Sequence, residues 1–307
     1  MIYQRTKLHT GAKTDILSVV KRKIKRLTRP KLARTAIPFN WTTDTSLIQT
    51  RFAKLGNIPI KDQGQSDSCG GQAGSYWLGV VMALNGNTTY QEVSAKSVYA
   101  PIAYPGGGTT DTALQNEIAN VGAMSEGMVP SYPSPGVAPT ETFMTDKTWL
   151  TPENQIIMQK DSNWQVVTIE NDINAIAEAI RDYGATIWHI DSDFYQYDNW
   201  VSAYPQPTPT APDGHFMAQP LVCMYNGLQA IKSFQSWGQV GDNGFQYFTT
   251  ATFIGSNNIV DIFTFVPKYV PHPTVPGQLI PNPAILTWQQ RLVNYITAFW
   301  NVLMVNE

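Results

Sequence analysis

Cys69 stands in the run IPIKDQGQSDSCGGQAGSYW, from Ile58 to Trp77, at a point where the sequence turns into a helix pattern. Gly70, Gly71, Ala73, Gly74 and Ser75 keep bulk away from the sulfur before the apolar run Trp77 to Leu84 begins. A thiol at a helix N-terminus meets the positive end of the dipole and unpaired N–H groups, and both favour thiolate, the attacking form. Gln63, six residues earlier in a Gly-containing loop, can return an amide N–H to the same place, as an oxyanion requires. A thiol nucleophile also needs an imidazole to take its proton and later to protonate the leaving amine. Of the four histidines, His9 lies in a basic tail, His272 in a Pro-rich stretch and His189 inside the strand-like TIWHIDSDF, where a structural role fits. His215, opening the apolar run FMAQPLVCMY, is the base by elimination.

This order of residues resembles the papain-like cysteine peptidases, peptidase family C1, as a divergent member. In that family a Gln-Gly loop, a Ser-Cys pair and a central helix carry the oxyanion donor and the nucleophile; Gln63-Gly64 and Ser68-Cys69 match in type and spacing. The family has a disulfide Cys where Ser66 stands and a Trp where Gly70 stands. Its His opens a strand running to a Tyr-Gly or similar turn, here Tyr225-Asn226-Gly227, and the 146-residue separation from Cys69 suits the family. The run IKSFQSWGQVGDNGFQYF resembles the Asn-Ser-Trp-Gly segment and the Gly-x-x-Gly-aromatic strand after it, with Gln235 in place of the orienting Asn. Trp237 would then shield the orienting hydrogen bond from water. Gly107 and Gly108 correspond to a Gly-Gly pair whose backbone meets the substrate chain; from the residues alone, a flexible loop fits equally.

The resemblance implies an α+β, two-lobe fold with a helical left lobe, about residues 60–135, and an antiparallel β-barrel-like right lobe, about 165–266. It implies an endopeptidase working through an acyl-enzyme on a peptide or protein substrate. Cys69, His215, Gln235 and Gln63 would be catalytic, with Gly107, Gly108 and Trp237 at the substrate. No cofactor is implied. No metal site is expected either, since the chain shows no Cys/His cluster with ligand spacing and no phosphate-loop pattern.

The elements that must hold these residues are legible in outline. Gly74 to Leu84 reads as the body of the central helix, stopped near Asn85-Gly86-Asn87. EVSAKSVYAPIAY reads as a short helix capped by Ser94, and Thr112 to Val121 as a helix ending at Gly122. Residues 133–165 carry Pro, Thr and Ser and read as a long interlobe connection. INAIAEAIRDY, Ile173 to Tyr183, is a strongly amphipathic helix closed by Gly184, followed by the strand ATIWHIDSDF. Ala203 to Pro212 is a Pro-rich loop, and Phe216 to Tyr225, Gln229 to Phe234 and Gly244 to Phe253 read as antiparallel strands.

The 307 residues, 43% hydrophobic and 14% charged, allow a substantial core with solubility resting on neutral polar groups. Only Cys69 and Cys223 are present, and Cys223 in LVCMY reads as a small core residue, so no disulfide framework is implied. The net charge of −2 hides a basic arm: residues 1–36 carry +10 and the rest −12. The arm has helically spaced apolar residues and reads as a short leader or docking arm for an anionic membrane surface, nucleic acid or the acidic body itself. A solvated tail is the alternative. No signal peptide is evident, and localisation stays open between the cytoplasm and a virion. The remaining divisions are a peptidase domain at 37–266, a Pro-rich linker at 267–283 and a C-terminal amphipathic helix within 284–307, its body at Ala284 to Val305. Two further functions fit the same residues: a weakly active or inactive homologue serving as an adaptor subunit of a larger assembly such as a viral particle, and a cell-wall amide hydrolase or transpeptidase on the same fold.

Overall fold

The computed structural model describes residues 12–13, 37–86, 88–159, 163–191, 195–198, 202–205, 213–239, 241–250, 254–255, 259–271 and 279–281. Most of the basic arm, the Pro-rich loop before His215, most of the linker and the C-terminal helix expected at 284–305 lie outside the described residues. The helices are α1 (Thr43–Ala53), α2 (Cys69–Gly86), α3 (Ala95–Tyr99), α4 (Asp111–Asn116), α5 (Glu141–Thr145), α6 (Pro152–Gln159) and α7 (Ile173–Tyr183). The strands are β1 (Ala12–Lys13), β2 (Trp164–Thr168), β3 (Thr186–Asp191), β4 (Tyr195–Asp198), β5 (Ser202–Pro205), β6 (Asp213–Tyr225), β7 (Leu228–Phe234), β8 (Phe245–Thr249), β9 (Ile259–Pro267), β10 (Tyr269–Pro271) and β11 (Leu279–Pro281).

Helices therefore dominate the first half and strands the second. The main sheet runs β2-β9-β3-β6-β7-β8-β5-β4, with β1 added on β6, while β10 and β11 form a separate pair. Its pairs are antiparallel except β5 with β8. The expected barrel-like lobe is instead an open sheet: β4 and β5 join through a single parallel pairing, Ser202 to Tyr247, and leave β2 at the opposite end of the path.

Residue alternation along the central strands buries both sheet faces. Phe216 and Ala218 of β6 face the core shared with Trp77 and Val81 of α2, whereas Met217 and Val222 face the core shared with Ile176 and Ile180 of α7. The Trp77 indole N–H is bonded to the Ala185 carbonyl at 3.0 Å and to Thr264 Oγ1 at 3.3 Å, tying the central helix to the sheet. The α7 helix begins where Asp172 accepts the Asn174 and Ala175 N–H groups, at 3.1 and 3.0 Å, and ends at Gly184 with φ 91°.

The expected helix at Thr112–Val121 is α4, continued by a π-helical turn over Glu117–Val121. The central helix begins at Cys69 itself, where the small residues mark its start. The segment expected to be a plain connection at 133–165 contains α5 and α6. Their brevity leaves too few turns for a periodic signal.

Candidate active site

The α2 helix starts at Cys69 because the Ser68 carbonyl accepts the Gln72 N–H at 3.0 Å and small residues let the first turn press against its neighbours. A Cβ added at Gly70 would stand 2.6 Å from Thr109 Cγ2 and 3.4 Å from Phe216 Cδ2. Thr109 thus leaves no room for even a methyl group at position 70 unless it shifts. A Cβ at Gly71 would stand 2.6 Å from the Ala95 carbonyl oxygen and from Tyr99 Cβ. The buried Cys69 is therefore braced by β6 on one side and α3 on the other.

The loop before Cys69 is fixed by its own polar groups. Ser66 Oγ donates to the Gln63 carbonyl at 2.6 Å and lies 2.7 Å from Ser68 Oγ. The Gln63 side-chain amide is held at both ends: Oε1 accepts from Ser236 Oγ at 2.6 Å, and Nε2 donates to the Ser66 carbonyl at 2.8 Å. Residues 61–63 run beside residues 236–238, with Gln63 N–H on the Ser236 carbonyl at 2.7 Å and Gly238 N–H on the Lys61 carbonyl at 3.0 Å. This pairing carries the Gln63 loop to the segment that holds Gln235 and Trp237.

His215 lies near the start of β6, opposite Ile190 of β3. Its Nε2 is 3.0 Å from Gln235 Oε1, and its ring stacks on Trp237 with centroids 4.2 Å apart and planes 18° from parallel. An amide oxygen only accepts, so Nε2 carries the hydrogen and Nδ1 the lone pair. That buried Nδ1 has no hydrogen-bond partner among the described residues. Burial lowers the His215 pKa to about 3, against the opposing effect of the Gln235 bond and with a further lowering from nearby His189. The ring is therefore neutral at neutral pH, with its lone pair on Nδ1. The other end of the Gln235 amide donates to Met217 Sδ, and Gln235 N–H is bonded to the Gly244 carbonyl at 2.7 Å. Through Ser236, Gln63 joins His215, Gln235 and Trp237 in one region, while Phe216, which alternates with His215 along β6, meets the space beside Gly70, the neighbour of Cys69.

Gly107 and Gly108 are placed differently from the expectation of an open backbone edge. Both are buried, at φ 93° and 81°. Gly108 N–H donates to Tyr99 Oη at 2.6 Å, and its carbonyl accepts the Tyr104 N–H at 3.0 Å. This backbone is braced from within the helical lobe.

A second buried histidine pair escaped the sequence reading. His189 Nδ1 lies 2.8 Å from Asp111 Oδ1, and its ring stacks on Phe216 at 4.7 Å. A separation of 78 residues leaves no local pattern by which to find it. Strand β1 pairs Ala12 with Gly214 and Lys13 with Asp213, directly before His215. Cys223 lies elsewhere on β6, half-buried, its thiol pushed up to about 11 by burial. Among the described residues no cluster of three or more His, Cys, Asp or Glu is placed to hold a metal, and no helix is long and apolar enough to cross a membrane.

No protein-family model matches the chain, and no curated protein sequence does. Solved structures do. Procathepsin B from Trypanosoma congolense is 15% identical over 84% of this chain and 85% of its own, with a TM-score of 0.57. Xylellain, a cysteine protease from Xylella fastidiosa, is 14% identical over 87% of this chain and 99% of its own, with a TM-score of 0.56. The bromelain protease from Ananas comosus, solved with the inhibitor E64, is 15% identical over 68% of this chain and 94% of its own, with a TM-score of 0.50. The chain has the papain-like fold, in a sequence far diverged from these proteins.

Proposed function

Because the fold is papain-like, we propose that the chain is a cysteine-type endopeptidase with Cys69 as nucleophile and His215 as its base. The observation that carries this reading is the His215 ring held at Nε2 by Gln235 and by the face of Trp237, which leaves Nδ1 as the nitrogen that accepts a proton. His215 Nδ1 takes the thiol proton as sulfur attacks the peptide carbonyl, and the oxyanion is met by the Cys69 backbone N–H and a Gln63 amide N–H. The proton then passes from His215 to the leaving amine nitrogen as the C–N bond breaks. Water, deprotonated by the same nitrogen, attacks the thioester and releases the acid and the thiol. A thiol-directed peptidyl epoxide of the E64 type is the test: it labels wild type and leaves Cys69→Ala unlabelled. Equal labelling of the two ends this reading.

A second reading, a weakly active homologue used as an adaptor subunit, draws on the complete burial of Cys69, His215, Gln235 and Gln63. Robust cleavage of a peptide library by residues 37–266 refutes it.

A further inference from the structure

Tyr99 touches three pieces of the proposed site at once. Its Cβ sits against Gly71, in the first turn after Cys69. Its hydroxyl accepts the Gly108 N–H at 2.6 Å and donates to Glu141 Oε1 at 2.7 Å. The other oxygen of that carboxylate, Oε2, accepts the Asp67 N–H at 2.7 Å, two residues before Cys69. The segment leading to Glu141 continues the contact, with Gln65 N–H on the Pro139 carbonyl at 3.2 Å. Gly107 closes the circuit: its φ of 93° favours glycine, and a Cβ added there would stand 2.5 Å from Asp67 Oδ2 and 3.1 Å from Asp67 Cβ.

We propose that Tyr99 and Glu141 are positioning residues, joining the Gly107–Gly108 loop, the loop before Cys69 and the first turn of the nucleophile helix into one rigid unit. The proposal rests on the peptidase reading, in which that loop faces the substrate. Neither cysteine is in a disulfide, so the unit is held by hydrogen bonds. The phenol suits this role, since burial, and then the Glu141 charge, hold its pKa far above the ordinary tyrosine range and keep it a donor to the carboxylate. Gly108 becomes the anchor point of the loop instead of its substrate edge. Each acts through the backbone it holds.

The test compares two electrophiles at Cys69 of the full chain, iodoacetamide, which needs no loop contact, and a peptidyl epoxide, which does. Tyr99→Phe keeps the ring and removes the hydroxyl, leaving a buried N–H unpaired. The expected result is a fall of about tenfold in the peptidyl-to-iodoacetamide rate ratio. Glu141→Ala lowers both rates, and adding Tyr99→Phe to it changes the ratio by less than about twofold, because the two act through one network. Should Glu141→Ala fail to fold, Glu141→Gln keeps an acceptor for Tyr99 while losing the one for Asp67. An unchanged ratio in Tyr99→Phe, or independent effects in the double variant, overturns this proposal alone. A wild type that neither reagent labels at Cys69 overturns the peptidase reading and this proposal with it.

Discussion

Gln235 reaches two groups at once, and this explains how a side chain one methylene longer than asparagine still holds an imidazole. Its oxygen is on His215 Nε2 and its nitrogen on Met217 Sδ, so the extra rotatable bond is fixed at its far end. Asparagine at this position is too short for both. Gln235→Asn, although it restores the residue of the papain-like pattern, is expected to lower kcat about 10²-fold by misplacing the ring. Peptide-hydrolysis kinetics at fixed pH measure this, and an equal or faster variant rejects the two-ended anchor. His215 itself makes stability depend on pH. Its folded pKa of about 3 lies below the ordinary 6.5, so between those values the unfolded chain binds a proton that the folded chain does not. The stability tied to this residue is complete above pH 6.5 and is lost as pH falls toward 3. A His215→Gln variant removes up to one proton from that linkage, about 1.4 kcal/mol per pH unit. Urea unfolding of both proteins from pH 7 to pH 3.5 tests the sign: parallel curves mean that the ring is not held neutral.

At the scale of elements, the nucleophile helix is placed by what its first residues lack. Gly70 and Gly71 let α2 close on Thr109, Phe216 and α3, and each leaves less room than a methyl group needs. Gly70→Trp, the residue of the papain-like pattern, and Gly71→Ala are both expected to lower stability by about 1–3 kcal/mol through overpacking, read as reduced unfolding midpoints in calorimetry or urea. A Gly70→Trp protein as stable as wild type means that Thr109 and Phe216 yield easily. These glycines show how far the sequence was legible. Small residues after Cys69 marked a tight helix start, but which atoms come close was not written in the run. Helix α7 was legible because its apolar stripe, Ile173 to Tyr183, runs directly into the Gly184 stop. Strand β9, IVDIFTFVP, pairs with both β2 and β3 yet passed unnoticed, since a strand buried on both faces has no alternation to read. Cys69 and Trp237 stand in local motifs and His215 opens an apolar run, so each can be read from its neighbours. Asp111 with His189 and Tyr99 with Glu141 were missed because their bonds join residues 78 and 42 positions apart.

At the scale of the whole molecule, a charge division meets a strand pairing. Residues 1–36 carry +10 and the remainder −12, so arm and body attract each other. The arm's described strand, β1, is hydrogen-bonded to Gly214 and Asp213, the two residues before His215. If a substrate approaches the imidazole past Gly214, a chain segment paired there competes with it for space. The full chain is therefore expected to react with a peptidyl epoxide about tenfold more slowly than a chain beginning at Ile37, and an added arm peptide should restore the slower rate. Salt separates charge from shape. Raising ionic strength from 0.1 to 1 M shortens the screening length from about 10 Å to about 3 Å, which weakens a long-range attraction while sparing the strand hydrogen bonds. If charge draws the arm in, the gap between the two chains narrows as salt rises; a gap that holds at 1 M assigns the effect to the strand pairing. Equal rates for the two chains at low salt mean that β1 does not obstruct the site, and the arm's charge then serves a surface other than its own body.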